Sequence, residues 1–274
     1  MGQPNASNSQ SVATLTAVIP TTVTAALPPP RQRLAGKVAL IMGSDGRLAR
    51  KIASVYTQQG ACVVLCGLHL RRGRALADQI VTAGGEARFL LADVADAGDV
   101  QMAVAETIAT YGRLDILLNN CQPLAQQQAT VQTLHPAVWH RTLEASLGGP
   151  FLSVHHTLPF LMRRPNSTVI NIAPLPDRGP SLATAVSQAG LSHMTHHMAQ
   201  SLARHGIRVN LIWPSPQHRP VPSQTMPVYR LGSAHQHPER AVARAALYLA
   251  CPESHALNGI ALWVRPESRP KTRP

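Results

Sequence analysis

Histidine is the residue type in this sequence that most readily binds metals or carries protons, and there are 13 histidines. His193 and His197 stand four residues apart, a spacing that puts both side chains on one face of a helix. His155 and His156 belong to the long helix predicted before it. A metal site or a pH-sensitive interface could be built from these two helices. We expect solvated or hydrogen-bonded histidines instead, and we predict no metal site.

The cysteines offer a second kind of chemistry, but their positions do not favour it. The sequence contains four of them: Cys62, Cys66, Cys121 and Cys251. No two have the spacing of paired metal ligands, and Cys62 and Cys66 lie in an apolar run typical of a strand. We therefore predict buried free thiols and no disulfide framework.

A glycine-containing turn is the third feature with chemical potential. Residues 43–50 read Gly-Ser-Asp-Gly-Arg-Leu-Ala-Arg and follow an apolar run at 38–42. In a strand-to-helix turn, the backbone N–H groups at the helix N-terminus favour a bound phosphate. Taken alone this turn is a weak signal, so its meaning depends on the elements around it.

Short apolar runs alternate with longer segments of helical pattern along the chain. Seven runs have the length and composition of buried strands, at 38–42, 61–66, 87–91, 114–118, 168–172, 207–213 and 260–264. The predicted helices between them include 47–59, 96–111, 136–162, 182–205 and 238–251. This alternation predicts one α/β domain, a doubly wound seven-stranded parallel sheet with helices on both faces.

Three further motifs make the pattern specific. They are Asp93-Val94 after the third predicted strand, Leu118-Asn119-Asn120 at the end of the fourth, and His-Gly-Ile-Arg-Val-Asn at 205–210 leading into the sixth. Together with the turn they resemble the short-chain dehydrogenase/reductase family over about residues 35–264. The resemblance implies a Rossmann-type fold with a nicotinamide dinucleotide site.

The turn is most similar to that of pteridine reductases, in which an arginine replaces the middle glycine and Leu-Gly follows. Arg47 and Leu48 fit that variant, whereas Ala49 stands where the last glycine is expected. A methyl group there narrows the approach of the helix to a cofactor without forbidding it.

The resemblance also implies which residues would hold the dinucleotide. They are Gly43, Ser44, Arg47, Leu48, Arg71, Asp93 and Asn119. Asp93 corresponds to the residue that contacts the adenine ring, and Asn119 to an asparagine that braces the central strands. The residue that follows the asparagine pair is Cys121, which is expected to crowd the nicotinamide pocket.

Gly67 decides which dinucleotide the sequence favours. It falls at the position where NAD-preferring members carry an acid, so no carboxylate is expected there to repel a 2′-phosphate. Because Arg47, Arg71 and Arg72 are close in sequence, NADP(H) is the expected cofactor. The alternative is that Arg71 and Arg72 simply form a solvated helix start.

The family's reaction needs a tyrosine as acid/base and a lysine four residues later, whose ammonium lowers the phenol's pKa. Lysine occurs here only at positions 37, 51 and 271, and the residues four earlier are Arg33, Arg47 and Glu267. Counting back from the 205–210 motif places Thr184 at the tyrosine position and Gln188 at the lysine position. The resemblance therefore implies that the standard acid/base pair is missing.

The supporting groups are replaced as well. After the fifth strand the chain offers Ala173 or Pro174 where a substrate-orienting Ser, or the Asp of pteridine reductases, is expected. Ser146 stands at the position of the family's proton-relay asparagine. Asp177, in the shortened loop before Thr184, could be a displaced acid, although an ordinary turn aspartate is the simpler interpretation.

Three functions fit these residues. The favoured one is an NADP(H)-reductase fold without its standard catalytic groups, which binds a dinucleotide or small ligand or serves as a homo- or hetero-oligomer subunit through its two long helices. The second is an active NADPH-dependent reductase of a carbonyl or pterin-like substrate, with Asp177 or a bound water as the acid. The third, from another class, is a basic interaction protein that keeps the fold as a scaffold.

Composition limits the partners and the location. The chain carries 25 Lys+Arg against 13 Asp+Glu, a formal net charge of +12, but its cations are scattered and aromatics are only 4% of residues. Specific nucleic-acid binding is therefore not expected.

No apolar stretch approaches the roughly 18 residues of a membrane span, and no secretory signal is evident. We expect a cytoplasmic protein that does not bind a membrane.

The ends of the chain differ in composition from the rest. Residues 1–34, rich in Ala, Thr and Pro and without an acid, are predicted to be a disordered extension, with a targeting peptide as the alternative. Residues 35–266 form the predicted domain, and 267–274 a basic tail. Within the domain, the proline-rich segment 214–238 corresponds to the family's substrate lid, which its prolines would stiffen.

Overall fold

A computed structural model describes residues 32–121, 129–173, 181–214, 226–233 and 238–266. The described strands are β1 Val38–Met42, β2 Cys62–Gly67, β3 Glu86–Leu91, β4 Ile116–Asn119, β5 Thr168–Ile172, β6 Arg208–Pro214, β7 Val228–Ser233 and β8 Ala261–Pro266. The expected extension and tail lie, but for residues 32–34, outside the described residues.

Seven α-helices connect these strands. They are α1 Arg47–Gln58, α2 Leu70–Thr82, α3 Ala97–Tyr111, α4 Pro136–Leu143, α5 Gly149–Leu161, α6 Leu182–Leu202 and α7 Pro238–Ala250. A π-helical turn, Glu144–Gly148, joins α4 to α5, so the single helix predicted over 136–162 is interrupted at its middle. None of the helices in the described ranges is long and apolar enough to span a membrane.

All eight strands form one parallel sheet, in the order β3-β2-β1-β4-β5-β6-β8-β7. The predicted doubly wound sheet is confirmed, but the count of seven strands is wrong. The additional strand, β7, lies inside the segment expected to be a lid and pairs with β8 from Val228 opposite Ala261 to Ser233 opposite Pro266. Its sequence, Val-Tyr-Arg-Leu-Gly-Ser, has no more than two consecutive apolar side chains and ends in Gly-Ser, which is a weak strand signal.

Helices cover both faces of the sheet. In β1, Ala39 and Ile41 face the layer of α1, α2 and α7, while Val38, Leu40 and Met42 face the layer of α3, α5 and α6. Because both faces are buried, the strand is apolar at every position although its side chains alternate.

The order of the strands places a crevice in the middle of the sheet. From β1 the chain proceeds outward through β2 and β3, then returns to pair β4 with the other side of β1. Ligands of doubly wound proteins bind at such a reversal, beyond the carboxyl ends of the strands. The turn after β1 and the asparagine pair at the end of β4 meet there.

Candidate functional site

The turn after β1 is held between its two neighbouring strands. The N–H groups of Gly43 and Ser44 donate to the carbonyl oxygen of Cys66, at 3.0 and 2.8 Å. Asn120 Nδ2 donates to the Gly43 carbonyl at 2.9 Å. Gly43 has a φ of +80°, and a Cβ there would lie 2.5 Å from the Asn120 carbonyl oxygen, so only glycine fits this turn.

The start of α1 has the features of an anion site. Gly46 precedes the helix and provides no side-chain cap, and the first turn contains no acid. Ser44 is 3% exposed, and its hydroxyl has no hydrogen-bond partner. Unpaired N–H groups at a helix N-terminus and a buried, unpaired hydroxyl fit the pyrophosphate of a dinucleotide.

The remaining residues of the turn, Arg47, Leu48 and Ala49, differ in how far they are buried. Arg47 is almost fully exposed and its guanidinium lies 3.6 Å from Glu239 of α7. Leu48 packs against the core, and Ala49 is completely buried in it. The methyl group of Ala49 is thus accommodated by the core between α1, α7 and the sheet.

A carboxylate lies at the end of β2, contrary to the expectation from Gly67. Asp45, on the turn after β1, accepts hydrogen bonds from the backbone N–H groups of Leu68 and His69 at 2.8 and 3.0 Å. A Cβ at Gly67 would lie 2.7 Å from the nearer Asp45 oxygen. A carboxylate therefore does lie at this strand end although residue 67 is a glycine, because Asp45 reaches it from another loop. Arg71, expected to bind a 2′-phosphate, is exposed in the first turn of α2.

Asp93 follows β3 at the same edge of the sheet. Its Oδ1 accepts a hydrogen bond from the N–H of Ala95 at 3.0 Å, and its own N–H donates to Asp99 Oδ2 at 2.8 Å. The half-buried carboxylate is thus fixed by the turn into α3, with its second oxygen remaining available to a ligand.

A chain of buried polar side chains crosses the sheet beneath the crevice. Asn119 Nδ2 donates to Asn171 Oδ1, and Asn171 Nδ2 donates to Thr195 Oγ1, each at 2.9 Å. The Oδ1 of Asn119 is buried without a partner. Sequence reasoning identified Asn119 but missed Asn171 and Thr195; the signal was an asparagine within each of two neighbouring apolar strands.

The residues that the sequence analysis set at the family's catalytic positions lie on α6 and on the π-helical turn. Thr184 lies in the first turn of α6, with its N–H donating to Ser181 Oγ at 3.2 Å and its hydroxyl 3.0 Å from that oxygen. Gln188 follows one turn later in α6. Ser146 is fully buried in the π-helical turn, and its hydroxyl has no partner.

Pro174 and Asp177, the other two residues singled out from the sequence, lie outside the described residues. Neither described lysine lies at the carboxyl edge of the sheet as a substitute. Lys37 precedes β1 and its ammonium is 3.4 Å from Asp115, at the amino end of the sheet, whereas Lys51 lies within α1. The buried Tyr56 hydroxyl donates to the Ala246 carbonyl between α1 and α7, at 3.0 Å. The printed side-chain contacts of Lys37 and Tyr56 thus stabilise the packing of the domain.

The histidines and thiols do not form a metal centre in the described part of the chain, where no group of three or more His, Cys, Asp or Glu could hold a metal ion. His155 stacks on Phe151 with ring centroids 5.9 Å apart, and His156 meets His155 edge to face. Cys121 is 4% exposed, and burial together with the charge of Asp93 raises its pKa to about 12. Its thiol is therefore neutral at physiological pH.

Comparison with known proteins gives the same family as the motifs. Residues 44–265 match the family described as enoyl-(acyl carrier protein) reductase. Tropinone reductase-like 1 from Erythroxylum coca is 30% identical over 248 residues, 84% of this chain and 89% of the relative.

Solved structures agree with this result. A short-chain dehydrogenase/reductase from Burkholderia xenovorans superposes with a TM-score of 0.73 at 29% identity, over 85% of this chain and 96% of that one. A metagenomic short-chain oxidoreductase in complex with NADP gives 0.72 at 25% identity, over 86% of this chain and 100% of that one. This protein belongs to the short-chain dehydrogenase/reductase family.

Proposed function

We propose that this protein binds a nicotinamide dinucleotide but does not reduce carbonyl compounds by the route usual in its family. The proposal rests on the absence of a Tyr-x-x-x-Lys sequence and on the alignment that sets Thr184 and Gln188 at the family's tyrosine and lysine positions. Lysine occurs only at positions 37, 51 and 271, so no rearranged alignment restores a tyrosine with a lysine four residues later.

The chemistry explains why these two replacements matter together. A bound nicotinamide supplies or accepts a hydride, and the protein must supply the proton for the carbonyl oxygen. A phenol has a pKa near ~10 that a neighbouring ammonium lowers, whereas an aliphatic hydroxyl is far less acidic. The Thr184 hydroxyl is, moreover, within hydrogen-bond distance of Ser181, and Gln188 has no charge to acidify it. Each loss of this kind removes about 100-fold or more in rate.

The dinucleotide part of the proposal is supported by groups that have no other evident role. The buried hydroxyl of Ser44 and the uncapped start of α1 would hold the pyrophosphate. The free oxygen of Asp93 faces the same edge, and Asn119 keeps a buried carbonyl oxygen unpaired. An unpaired buried polar atom is costly, so a ligand that satisfies it would be stabilised.

Exposed apolar side chains on two helices support the part of the proposal that makes this protein a subunit of an oligomer. Exposed apolar side chains lie on α5 and α6, among them Phe151, Leu182 and Val186. Their burial against a second subunit would remove apolar surface from water. We propose that these two helices pair with another copy of the chain or with an active relative.

The relatives support a second candidate, since tropinone reductase-like 1 is named for a reductase. In that case Asp177 or a water would replace the phenol.

Titration of the purified protein with NADH and with NADPH, followed by nucleotide fluorescence, tests binding. Assays with ketones and oxidised pterins then test turnover. We expect binding without oxidation of the nucleotide. Oxidation abolished by Asp177→Asn would establish the second candidate, and absence of binding would leave only a scaffold.

A further inference from the structure

The carboxylate of Asp45 occupies an unusual place for a residue of the turn after β1. It crosses to the end of β2 and accepts both the Leu68 and the His69 N–H groups, at 2.8 and 3.0 Å. The side chain remains 30% exposed toward the carboxyl edge of the sheet. Each oxygen therefore keeps a lone pair that can accept a further hydrogen bond from a ligand.

Gly67 makes this position possible. A Cβ on residue 67 would lie 2.7 and 2.8 Å from the two Asp45 oxygens and 2.9 Å from its carboxyl carbon. The carboxylate thus fills the space into which a side chain of residue 67 would extend. Asp45 and Gly67 form a complementary pair, in which the acid has moved from the strand end to the neighbouring loop.

The end of the second strand is where doubly wound proteins recognise the adenosine ribose of a dinucleotide. A carboxylate there accepts hydrogen bonds from the ribose hydroxyls and repels a 2′-phosphate. We infer that Asp45 performs this recognition, so that the protein selects dinucleotides with a free 2′-hydroxyl, NAD(H), over NADP(H). This inference rests on the proposed dinucleotide binding and replaces the NADP(H) expected from the sequence.

The positive charges near Asp45 do not cancel the repulsion between its carboxylate and a 2′-phosphate. Arg47 lies in solvent and its guanidinium is 3.6 Å from Glu239, which offsets part of its charge. Arg71 and Arg72 are exposed at the start of α2, so their attraction is screened by water. His69 Nδ1 lies 3.9 Å from Asp45 and carries a charge only when protonated. Asp45 is held in place by two backbone N–H groups, whereas the arginines must be ordered to bind a phosphate.

Isothermal titration with two fragments tests the inference without the nicotinamide half. ADP-ribose and its 2′-phosphate differ only at the hydroxyl that Asp45 would recognise. We expect the wild-type protein to bind ADP-ribose at least about tenfold more tightly, because a phosphate beside a fixed carboxylate is repelled. Asp45→Asn keeps the shape and removes the charge, so the ratio of the two affinities should fall toward one. Asp78→Asn, an equal charge change on the exposed face of α2, should leave the ratio unchanged.

Gly67→Ala provides an independent variant that keeps the Asp45 charge. Its methyl group would displace the carboxylate, so the preference should weaken although the net charge is constant. Equal or tighter binding of the 2′-phosphate by the wild type, or an unchanged ratio in Asp45→Asn, would overturn the inference. Binding of ADP-ribose without binding of NADH would overturn the proposed function alone. Binding of neither fragment would overturn both.

Discussion

Thr184 and Gln188, the residues that we propose stand in place of the family's tyrosine and lysine, are both compatible with their helix. The Thr184 hydroxyl and N–H both lie within hydrogen-bond distance of Ser181 Oγ, the cap of α6, so the replacement contributes to the first helical turn. Glutamine is a good helix former and suits position 188 without a charge. On the proposed alignment, the helix forms without a phenol or an ammonium at these positions, and only the family's reaction would need them.

Restoring both groups should restore some chemistry. In Thr184→Tyr/Gln188→Lys, a phenol and an ammonium one helical turn apart should raise ketone reduction at least about tenfold above wild type, because the cation acidifies the phenol. Neither single variant should show the gain. Initial rates with NADH and NADPH measure it, and circular dichroism checks folding, since Thr184 is only 6% exposed. A gain from Thr184→Tyr alone would contradict the need for the cation.

At the residue scale, the position of Asp45 at the end of β2 could not be predicted from the sequence. The strand end at Gly67 could be placed by pattern, and so could the turn that contains Asp45. The side chain of Asp45 fills the space left by Gly67 only because the two loops lie close together in three dimensions. The sequence does not give that distance. An acid two residues after Gly43 combined with a glycine at the end of β2 was the available signal.

At the scale of elements, most of the strands that sequence located are buried on both faces, and the exception is β3 at the other edge of the sheet. In β1 and β2 the apolar run is continuous because helices cover both sides of the sheet. The edge strand β7 has no such run, and prolines flank it on both sides, so its pairing with β8 could not be predicted locally. The π-helical turn between α4 and α5 was missed for a similar reason, since it preserves the apolar pattern of a continuous helix.

The amino ends of β1 and β4 are joined by one buried carboxylate. Asp115, 1% exposed in its side chain, accepts two hydrogen bonds from Arg113 at 2.6 and 2.8 Å and one from the Val38 N–H at 2.9 Å. Burial alone would raise its pKa, but these bonds and the Lys37 ammonium lower it below the ordinary value. The group therefore stabilises the fold at neutral pH, and this stabilisation is lost as pH falls through its folded pKa.

Asp115→Asn should lower the free energy of unfolding at pH 7 by about 2 kcal/mol or more, because it leaves buried donors poorly paired. The difference from wild type should be smaller at a second, more acidic pH, because the wild type loses this stabilisation as pH falls through the lowered pKa of its folded state. Urea unfolding followed by tryptophan fluorescence at both pH values measures it. Asp78→Asn, on an exposed helix face, is the control and should have little effect. A deficit that stays constant with pH would assign the effect to shape rather than to charge.

At the scale of the whole molecule, the free thiols report whether the sheet opens as one unit. Cys66 in β2, Cys121 after β4 and Cys251 after α7 are all buried. Burial raises their pKa to about 12, 12 and 11, the charge of Asp93 adding to it at Cys121. Cys62, at the start of β2, is more accessible, although burial and a hydrogen bond with Glu86 raise its pKa to about 11. At pH 8 a thiol with a pKa of 12 is ionised in only about one molecule in 10,000.

We therefore expect Ellman's reagent at pH 8 to label Cys62 first, slowly, and the three buried thiols afterwards with one shared rate. A shared rate follows if they become accessible only when the sheet opens as a whole, and it should rise with urea. In denaturant all four thiols should react at once, and Cys62→Ser should remove only the first phase. Separate rates would contradict a single cooperative unit. In particular, rapid labelling of Cys121 would place a local opening at the crevice, where Asn120 and Gly43 hold the turn closed.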